Sequence, residues 1–491
     1  MTSPLGPIDV VVLCVYLASA IGIGLKVSSK TKTLESYLLG DRDLPWWAIL
    51  GSIVATETST ATVLSVPGEA YGTTGMKFLQ LALGYIVGRA IIVRTLLPLY
   101  FQGKLFTAYQ VLDKRFGGAT KQAASLLFLV TRNLGDGLRL FLAAVVLQKL
   151  ANLPFAWSVV VMGLVTIFYT YFGGMRSVVW NDCIQFVIYM VGAFAAMFVI
   201  VANIPGGWSE LMQFAAENDK LRVFDFQFSV SQPYTFWAGL IGGAVLTIGT
   251  HGTDHMMVQR YLSARSQRDA GRAVFVSALV VFAQFAVFLF IGVELACYYS
   301  RFPEITFSKP DEVFAHFIVH VFPRNTGLIG LMLAAILAAA MSTLSSSLNS
   351  SASALVNDFY VPWRKTPATS QQLFAMTRNL TIAFGVLQSA IGIWALQLGD
   401  TVVKNALTIA GFSAGLLLGI FALGVLTRRA GQASALIGGA VGLCVLSVLQ
   451  FGVPWHGVKI AFPWLALIGA TTTFASGYLV ALIRPQQGVA S

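Results

Sequence analysis

The chain has 491 residues, of which 56% are hydrophobic and 11% are charged, and its mean hydropathy is +0.74. These values exclude a soluble globular protein. The formal net charge is +11, but the basic residues are scattered through short polar segments instead of forming one tract. No nucleic-acid partner is therefore expected, and the composition predicts an integral membrane protein whose surroundings are the lipid bilayer.

Apolar runs of about 20 residues recur along the whole chain, and each is long enough to cross a hydrocarbon core of roughly 30 Å as a helix. The alternating pattern of a membrane β-barrel is absent. Because backbone polar groups in lipid must be satisfied within helices, we predict an all-α membrane protein. About thirteen transmembrane helices are expected, at residues 7–26, 45–71, 77–101, 122–150, 154–172, 178–203, 234–261, 270–299, 326–357, 373–398, 402–427, 432–452 and 460–483.

The basic residues favour one orientation in the membrane. They lie mainly in one of the two alternating sets of loops, to which we assign Arg115, Arg260 and Arg428. Because basic residues concentrate on the cytoplasmic side, we predict an external amino terminus and a cytoplasmic carboxyl terminus in a multi-pass protein of the inner or plasma membrane. The long polar stretches 204–232 and 300–325 are interpreted as loops.

The stretch 331–358 changes from apolar to hydroxylic halfway along its length. Ser342, Ser345, Ser346 and Asn349 recur at three- and four-residue steps, so they share one face of a helix. Small hydroxyls can simply let helices approach closely, or return a hydrogen bond to the backbone one turn earlier. Their number on one face favours a cation site, because sodium needs several oxygen ligands.

The second predicted span is polar in its middle, where Glu57 lies among threonines and a serine. A carboxylate at the bilayer centre costs about 2.5–3.5 kcal/mol on insertion scales, so it needs a partner or a wet cavity. Since Pro67 and Gly68 follow, we predict a helix that is interrupted near Glu57 and frees backbone carbonyls for a ligand. A proline-kinked but continuous helix is the alternative.

A second interruption is predicted at 242–255, where glycines flank several polar residues. The two interrupted spans are the second and the seventh, and this separation is typical of an inverted repeat of five plus five helices. His251, Asp254 and His255 share a helix face here, so a transition-metal site is an alternative. An enzyme is a further alternative, but the serine-rich stretch lacks a G-x-S-x-G motif, and no enzymatic activity is expected.

Two other groups of charged residues are predicted to lie in the membrane. Asp182 is about one turn inside the sixth span, where a carboxylate needs a cation, and the candidates are Arg176 and a sodium ion. Arg132, Asp136 and Arg139 share a face of the fourth span. If pairing leaves one arginine over, it is a candidate to hold an anionic group on a substrate.

Four motifs of the chain resemble the sodium/solute symporter family. AAAMSTLSSSLNSSAS is similar to the family's sodium-binding helix, and GTDHMMVQRYL to its seventh helix. GGMRSVVWNDCIQ resembles a cytoplasmic loop with the helix that follows it, and LPWWAILGSIVATETSTATVLSVPGEAYG resembles the interrupted first core helix. The resemblance implies a leucine-transporter-like fold, in which one extra N-terminal helix precedes the five-plus-five inverted repeat and two extra C-terminal helices follow it.

The resemblance also implies a division of the chain and two sodium sites. The whole chain 1–491 would be one transporter domain, with an extra helix at 7–26, a first repeat at 45–203, a second repeat and its following helix at 234–398 and 402–427, and C-terminal helices at 432–483. The first sodium site would consist of Ala55, Thr58, Ala339, Ser342 and Thr343. The possible second site would consist of Asp182, Ser345 and Ser346, together with Ser342.

Substrate residues follow less directly from the resemblance. By position, the family's central pocket would be lined by Glu57, Ser59, Thr62 and Asp254, with His251 close by, and Arg132 is added as the candidate for an anionic group. Glu57 and Asp254 are acidic where sugar-carrying relatives have amides. The solute is therefore left open among sugars, sugar acids, amino acids, vitamins and small carboxylates.

The expected function is sodium-coupled symport, in which Na⁺ and a small polar organic solute are imported by alternating access. A proton-coupled carrier is the nearest rival, because Glu57, Asp182 and Asp254 can all titrate. A channel is the remaining alternative. A monomer is expected to suffice for transport.

Overall fold

The computed structural model describes residues 5–28, 31–151, 153–398, 400–452 and 460–483, so positions 453–459 of the predicted C-terminal region lie outside the described residues. The described residues are almost entirely helical, and their only β pairing is an isolated bridge between Leu44 and Ala264. The helices are α1 (Pro7–Ser28), α2 (Leu34–Leu39), α3 (Trp46–Glu57), α4 (Thr60–Glu69), α5 (Leu79–Thr95), α6 (Leu97–Tyr100), α7 (Gln110–Phe116), α8 (Gly118–Ala151), α9 (Phe155–Ala202), α10 (Gly207–Glu217), α11 (Gly243–Gly252), α12 (His255–Leu262), α13 (Gln267–Tyr299), α14 (Pro310–His320), α15 (Leu328–Ala354), α16 (Val361–Trp363), α17 (Ser370–Trp394), α18 (Asp400–Leu426), α19 (Gln432–Phe451) and α20 (Phe462–Ile483).

Eight helical stretches in the described part of the chain are long and apolar enough to cross a membrane. They are Pro7–Val27, Thr62–Thr95, Phe155–Ala202, Gln267–Tyr299, Leu328–Trp363, Ser370–Gln397, Gln432–Phe451 and Phe462–Ile483, and Gly411–Leu426 is a shorter apolar helix. The prediction of an all-α membrane protein is confirmed.

Helix α9 runs without a loop through two predicted spans. The predicted connection at 173–177 contains a sharp kink at Gly174, where φ is +54° and the helical conformation is interrupted. A side chain there would be strained, and its Cβ would lie 2.4 Å from the backbone oxygen of Tyr37. Because glycine has no Cβ, it allows the chain to bend sharply here and to pack closely against α2.

We expect Gly174→Ala to destabilise the protein, because the new Cβ meets both a left-handed backbone and the Tyr37 carbonyl. The backbone conformation alone costs about 1–2 kcal/mol. The melting temperature in detergent should fall by several degrees. Gly22→Ala is the matched control, since nothing lies within 4 Å of a Cβ at that position, and an equal fall in both variants would contradict the prediction.

Both predicted interruptions are present. Helix α3 ends at Glu57 and α4 begins at Thr60, so the alternative of a continuous, kinked helix is wrong. Helix α11 ends at Gly252 and α12 begins at His255. Each break therefore exposes helix ends inside the protein, where backbone groups become available to other ligands.

The serine-rich helix α15 lies at the centre of the molecule. Of its apolar membrane window, 83% is buried inside the protein, and it packs on α1, α8, α9 and α17. The amino end of α15 is held by Asp9 of α1, whose carboxylate accepts hydrogen bonds from Gly330 N at 3.1 Å and Gly6 N at 2.9 Å. Helix α1 therefore supports the helix that carries the predicted sodium ligands.

The polar stretches 204–232 and 300–325, which we interpreted from the sequence as loops, also contain helices. Each contains a short helix, α10 and α14, of 11 residues. Helix α14 packs on α4, the second half of the first broken helix. These segments therefore cover part of the helical bundle.

Candidate functional site

The break between α3 and α4 frees backbone oxygens at its edge. Thr58 N makes the last helical bond, to Val54 O at 3.1 Å. The next amide, Ser59 N, donates instead to Thr62 Oγ1 at 3.2 Å. Ala55 O consequently loses its helical donor, and the end of α3 presents carbonyl groups that another partner can use.

The hydroxyl face of α15 lies against this helix end. Thr343 Oγ1 donates to Thr56 O at 3.1 Å and to Ala339 O at 3.4 Å. Thr56 Oγ1 is 3.4 Å from Ser342 Oγ and 3.2 Å from Ser346 Oγ. The structure thus places the α15 residues predicted for the first sodium site beside the end of α3.

Thr58 holds its place through its side chain. The Thr58 hydroxyl donates to Val54 O at 2.8 Å, receives a hydrogen bond from Gln284 Nε2 at 2.7 Å, and lies 3.1 Å from Tyr189 Oη. These contacts hold the Thr58 side chain away from the hydroxyl face of α15, so the backbone carbonyl is the Thr58 group that we consider as a ligand.

Asp182 is fully buried beside the same serines. Its Oδ1 accepts a hydrogen bond from Ser342 Oγ at 2.6 Å. Its Oδ2 accepts hydrogen bonds from Ser52 Oγ and, at 3.3 Å, from Thr56 Oγ1. The carboxylate therefore joins α9 to both α3 and α15, and its contact with Ser342 fixes the direction of that hydroxyl.

The cation beside Asp182 is Arg260, whose Nη2 lies 3.1 Å from Asp182 Oδ2. The interpretation of Arg260 as a cytoplasmic loop residue is wrong, because its side chain is 1% exposed. The predicted partner Arg176 pairs instead with Asp41 at 3.2 Å. Because position 260 lies inside the predicted span 234–261, the sequence already indicated that this arginine belongs to a helix.

The other predicted members of the second sodium site bond within the protein. Ser345 Oγ and Ser346 Oγ both donate to Ser342 O, at 3.1 and 2.8 Å. Ser346 also accepts a hydrogen bond from Arg260 Nη2. All of the residues predicted for this site lie together, but Arg260 is among them.

Glu57 forms a buried cluster with Arg89 of α5, a residue that the sequence analysis did not select. Arg89 Nη2 donates to Glu57 Oε2 and lies 3.1 Å from His251 Nε2. His251 Nε2 also lies 3.5 Å from Glu57 Oε2, and His251 Nδ1 lies 3.0 Å from Thr250 Oγ1 and 3.3 Å from Thr247 Oγ1. The available signal was a lone cation inside an apolar span.

Asp254 belongs to a second charged cluster. Arg132 Nη2 donates to Asp254 Oδ2, and Arg132 Nη1 lies 3.6 Å from Asp136 Oδ1. Arg139 Nη1 donates to the same Asp136 oxygen at 2.5 Å. Two arginines and two aspartates thus make an electrically balanced set that connects α8 to the break between α11 and α12.

A small cavity lies beside the first break. It is lined by Ser59, Thr60, Asp136, Arg139, Leu140, Ala340, Thr343 and Leu344. The side chain of Arg139 is 43% exposed, whereas that of Arg132 is 15% exposed. The arginine that lines this cavity is Arg139, and the lining does not include the predicted Arg132.

Of the predicted solute residues, Ser59 lines this cavity and the others do not. Glu57 is engaged with Arg89, and Thr62 Oγ1 with Ser59 N. His255, from the alternative metal motif, accepts a hydrogen bond from Ala108 N at 3.3 Å. His251, Asp254 and His255 therefore contact different partners instead of converging on one point.

The sequence and the fold of this chain are similar to those of known proteins. The family model described as "Sodium:solute symporter family" matches residues 37–442. Mouse sodium-coupled monocarboxylate transporter 2 is 27% identical over 417 residues, which make up 83% of this chain and 66% of that protein. This chain therefore spans slightly less than two thirds of that relative.

For two other relatives, the match includes a larger share of the relative's own length. The human sodium/iodide cotransporter is 27% identical over 90% of this chain and 69% of its own. A putative sodium-dependent multivitamin transporter of Drosophila melanogaster is 28% identical over 92% of this chain and 76% of its own.

Solved structures show the same similarity. A substrate-bound, outward-open Na⁺-coupled sialic acid symporter has a TM-score of 0.89 and 27% identity, and the match covers 99% of this chain and 100% of that one. A nucleobase-cation-symport-1 family transporter has a TM-score of 0.59 at 13% identity, which shows a shared fold alone. Since the family model covers most of its length, the chain belongs to the sodium:solute symporter family.

Proposed function

We propose that this protein is a sodium-coupled symporter that imports a small anionic organic solute by alternating access. The observation that carries the proposal is the position of α15 against the broken helix, where the Thr343 hydroxyl reaches Thr56 O at 3.1 Å. Hydroxyls and freed carbonyls there are neutral oxygens, and sodium is a hard cation that binds such groups.

The proposed coupling ion binds at the first site, whose ligands are Ala55, Thr58, Ala339, Ser342 and Thr343. Asp182 is a positioning residue for this site. Its Oδ1 accepts a hydrogen bond from the Ser342 hydroxyl at 2.6 Å. The oxygen lone pairs of Ser342 therefore remain available to the ion. Asp182, Ser345 and Ser346, the residues predicted for a second sodium site, form the proposed place of a second positive charge beside it.

The proposed solute pocket is the cavity beside the break, whose volume is about 10 Å³ in this structure, so that it must widen to admit a solute. Thr60 Oγ1 is buried there and has no hydrogen-bond partner among the described residues. Arg139 supplies a half-exposed guanidinium that can hold a carboxylate in a bidentate manner. Ser59 completes the polar lining. Relatives named for monocarboxylates, iodide and sialic acid support an anionic or acidic solute.

The other predicted solute residues have a supporting place in this proposal. Glu57, Thr62, His251, Asp254 and Arg132 form the charged and polar surroundings in which the two helix breaks are held. Their paired state keeps the surroundings of the pocket near electrical neutrality. A positive ion at the first site would then favour the arrival of a negative solute.

We expect Arg139→Gln to raise the KM for an anionic solute at least tenfold and to change the sodium dependence less than twofold. The guanidinium lines the cavity but forms no hydrogen bond to the proposed sodium ligands within the described part of the chain. Arg139→Lys should recover part of the affinity. Arg222→Gln, at an exposed arginine paired with Asp219, is the control, and a KM unchanged in Arg139→Gln would contradict the pocket assignment.

The topology proposed with this function is the one that the sequence favours. Thirteen transmembrane helices would contain two inverted repeats of five, the first at 45–203 and the second at 234–398 together with the helix at 402–427. The extra helices would lie at 7–26 and 432–483, with the amino terminus outside and the carboxyl terminus in the cytoplasm. The two helix breaks, at Thr58 and Thr253, support equivalent positions in the two repeats.

The energy available to such a carrier depends on the charge it moves. One sodium ion moving down a tenfold gradient supplies about 1.4 kcal/mol. A membrane potential of 100 mV adds about 2.3 kcal/mol for each net positive charge that crosses. A singly charged anion carried with one sodium gains only the first amount, because the pair is neutral.

Uptake into proteoliposomes tests the proposal. Radiolabelled lactate, sialic acid, iodide and glucose would each be offered with an inward gradient of sodium or of potassium. We expect sodium-dependent uptake of an organic acid and counterflow of the labelled solute. Uptake that persists without sodium and collapses with an uncoupler would instead establish the proton-coupled rival.

A further inference from the structure

We propose that Arg260 is a built-in cation that occupies the Asp182 site in place of a second sodium ion, so that each chain binds one sodium ion. This inference rests on the proposed function, since it concerns the number of ions that the symporter binds. It follows from the position of one fully buried guanidinium among the oxygens that would otherwise form a second ion site.

The guanidinium of Arg260 is bound on three sides. Its Nε donates to Ser52 Oγ at 2.8 Å, and its Nη1 donates to Met256 O at 2.7 Å. The two N–H groups of its Nη2 are shared among Thr56 Oγ1, Ser346 Oγ and, at 3.1 Å, Asp182 Oδ2. The bond to Met256 O also ties the side chain to its own helix, α12.

These contacts use the oxygens that a second sodium would need. Asp182 Oδ2 and Ser346 Oγ accept hydrogen bonds from Arg260, and Asp182 Oδ1 accepts one from Ser342. Ser345 Oγ is turned towards Ser342 O at 3.1 Å. A sodium ion could enter only by displacing the guanidinium from several of these partners.

Charge leads to the same conclusion. Asp182 and Arg260 together are neutral, so the buried site needs no additional cation. A sodium ion beside both would put two positive charges on one carboxylate away from water, where Coulomb repulsion is strong. The tethered arginine is already in place, whereas a sodium ion must also give up its hydration.

The first sodium site does not share this restriction. Within the described part of the chain, Arg260 forms no hydrogen bond to Ala55, Thr58, Ala339, Ser342 or Thr343. Ser342 links the first sodium site to the Asp182 site. It is the hydrogen-bond donor in its contact with Asp182, so its oxygen lone pairs are not used there. One sodium ion and one arginine can therefore be held side by side.

Equilibrium binding of radioactive sodium to the purified full-length protein tests the inference without any solute. We expect one sodium per chain in the wild type and two in Arg260→Gln, because removal of the guanidinium opens the Asp182 site. Asp182→Asn combined with Arg260→Gln should return to one. Arg176→Gln is the matched control, because that arginine pairs with Asp41 instead, and it should also bind one.

Two sodium ions per wild-type chain, or one in a folded Arg260→Gln variant, would overturn the inference while leaving sodium coupling intact. No sodium binding to the wild type would contradict the proposed function itself. If Arg260→Gln is too unstable for binding measurements, the effect of sodium on its melting temperature tests the inference instead. Sodium, but not potassium, should raise that temperature at least 5 °C more than in the double variant, and an equal response to both ions would refute the inference.

Discussion

Ser342→Ala is expected to raise the sodium concentration for half-maximal uptake at least tenfold. The hydroxyl donates to Asp182 Oδ1 at 2.6 Å and lies 3.4 Å from Thr56 Oγ1, so its loss removes a proposed ligand and a donor to a buried carboxylate. A hydrogen bond to a charged group contributes about 1.5–3 kcal/mol, and each 1.4 kcal/mol corresponds to a factor of about ten in affinity. Sodium-dependent uptake and the sodium-induced rise in melting temperature measure the effect.

The matched control for this prediction is Ser350→Ala on the same helix. Ser350 is also fully buried, but among the described residues its hydroxyl donates only to the backbone oxygens of Ser346 and Ser347, at 2.8 and 3.2 Å. Such a bond returns to the helix and supports no ligand. We expect its sodium dependence to stay within twofold of the wild type. Equal effects of both substitutions would show that α15 is sensitive to any lost hydroxyl and would contradict the assignment of Ser342.

Arg89→Gln is expected to destabilise the protein strongly. Arg89 is completely buried. It donates to Glu57 and, at 2.6 Å, to Ser277 Oγ, and its charge balances the Glu57 carboxylate. Removing one partner of a buried ion pair costs about 3–5 kcal/mol, because the other charge is left uncompensated. The melting temperature in detergent and the yield of monodisperse protein should both fall.

A double substitution distinguishes charge imbalance from lost packing. Glu57→Gln combined with Arg89→Gln removes both charges, so it should recover most of the lost stability. Lys77→Met provides the comparison with a partly exposed pair, in which Lys77 lies 3.2 Å from Asp225, and its cost should be below about 1 kcal/mol. If the double variant is as unstable as Arg89→Gln, the shape of the arginine matters more than its charge.

The sequence was sufficient to predict the two interrupted helices. Glu57 and the polar residues around it could not lie in a membrane span without partners, whereas Pro67 and Gly68, which were expected to favour the break, lie inside α4. The spacing of Ser342, Ser345 and Ser346 identified the face of α15 that meets this break. These features depend on residues close together in the chain, so local patterns reveal them.

The ion pairs could not be predicted in the same way, because their partners lie far apart in the chain. Asp182 and Arg260 are separated by 78 positions, and the assignment of basic residues to loops placed Arg260 outside the membrane. Nothing near Glu57 in sequence identifies Arg89 of α5 as its partner. The roles of Arg132 and Arg139 likewise depended on how the helices pack, since both can reach Asp136.

The contact between Asp9 and Gly330 has a practical consequence. Helix α1 lies before both proposed repeats and could be mistaken for an appendage that a shortened protein can do without. Its aspartate, however, satisfies an amide at the start of the serine-rich helix, where unpaired N–H groups are expensive in lipid. A shortened protein that begins after residue 28 would remove this hydrogen bond from the start of the serine-rich helix, so stabilised versions for structural work should retain α1.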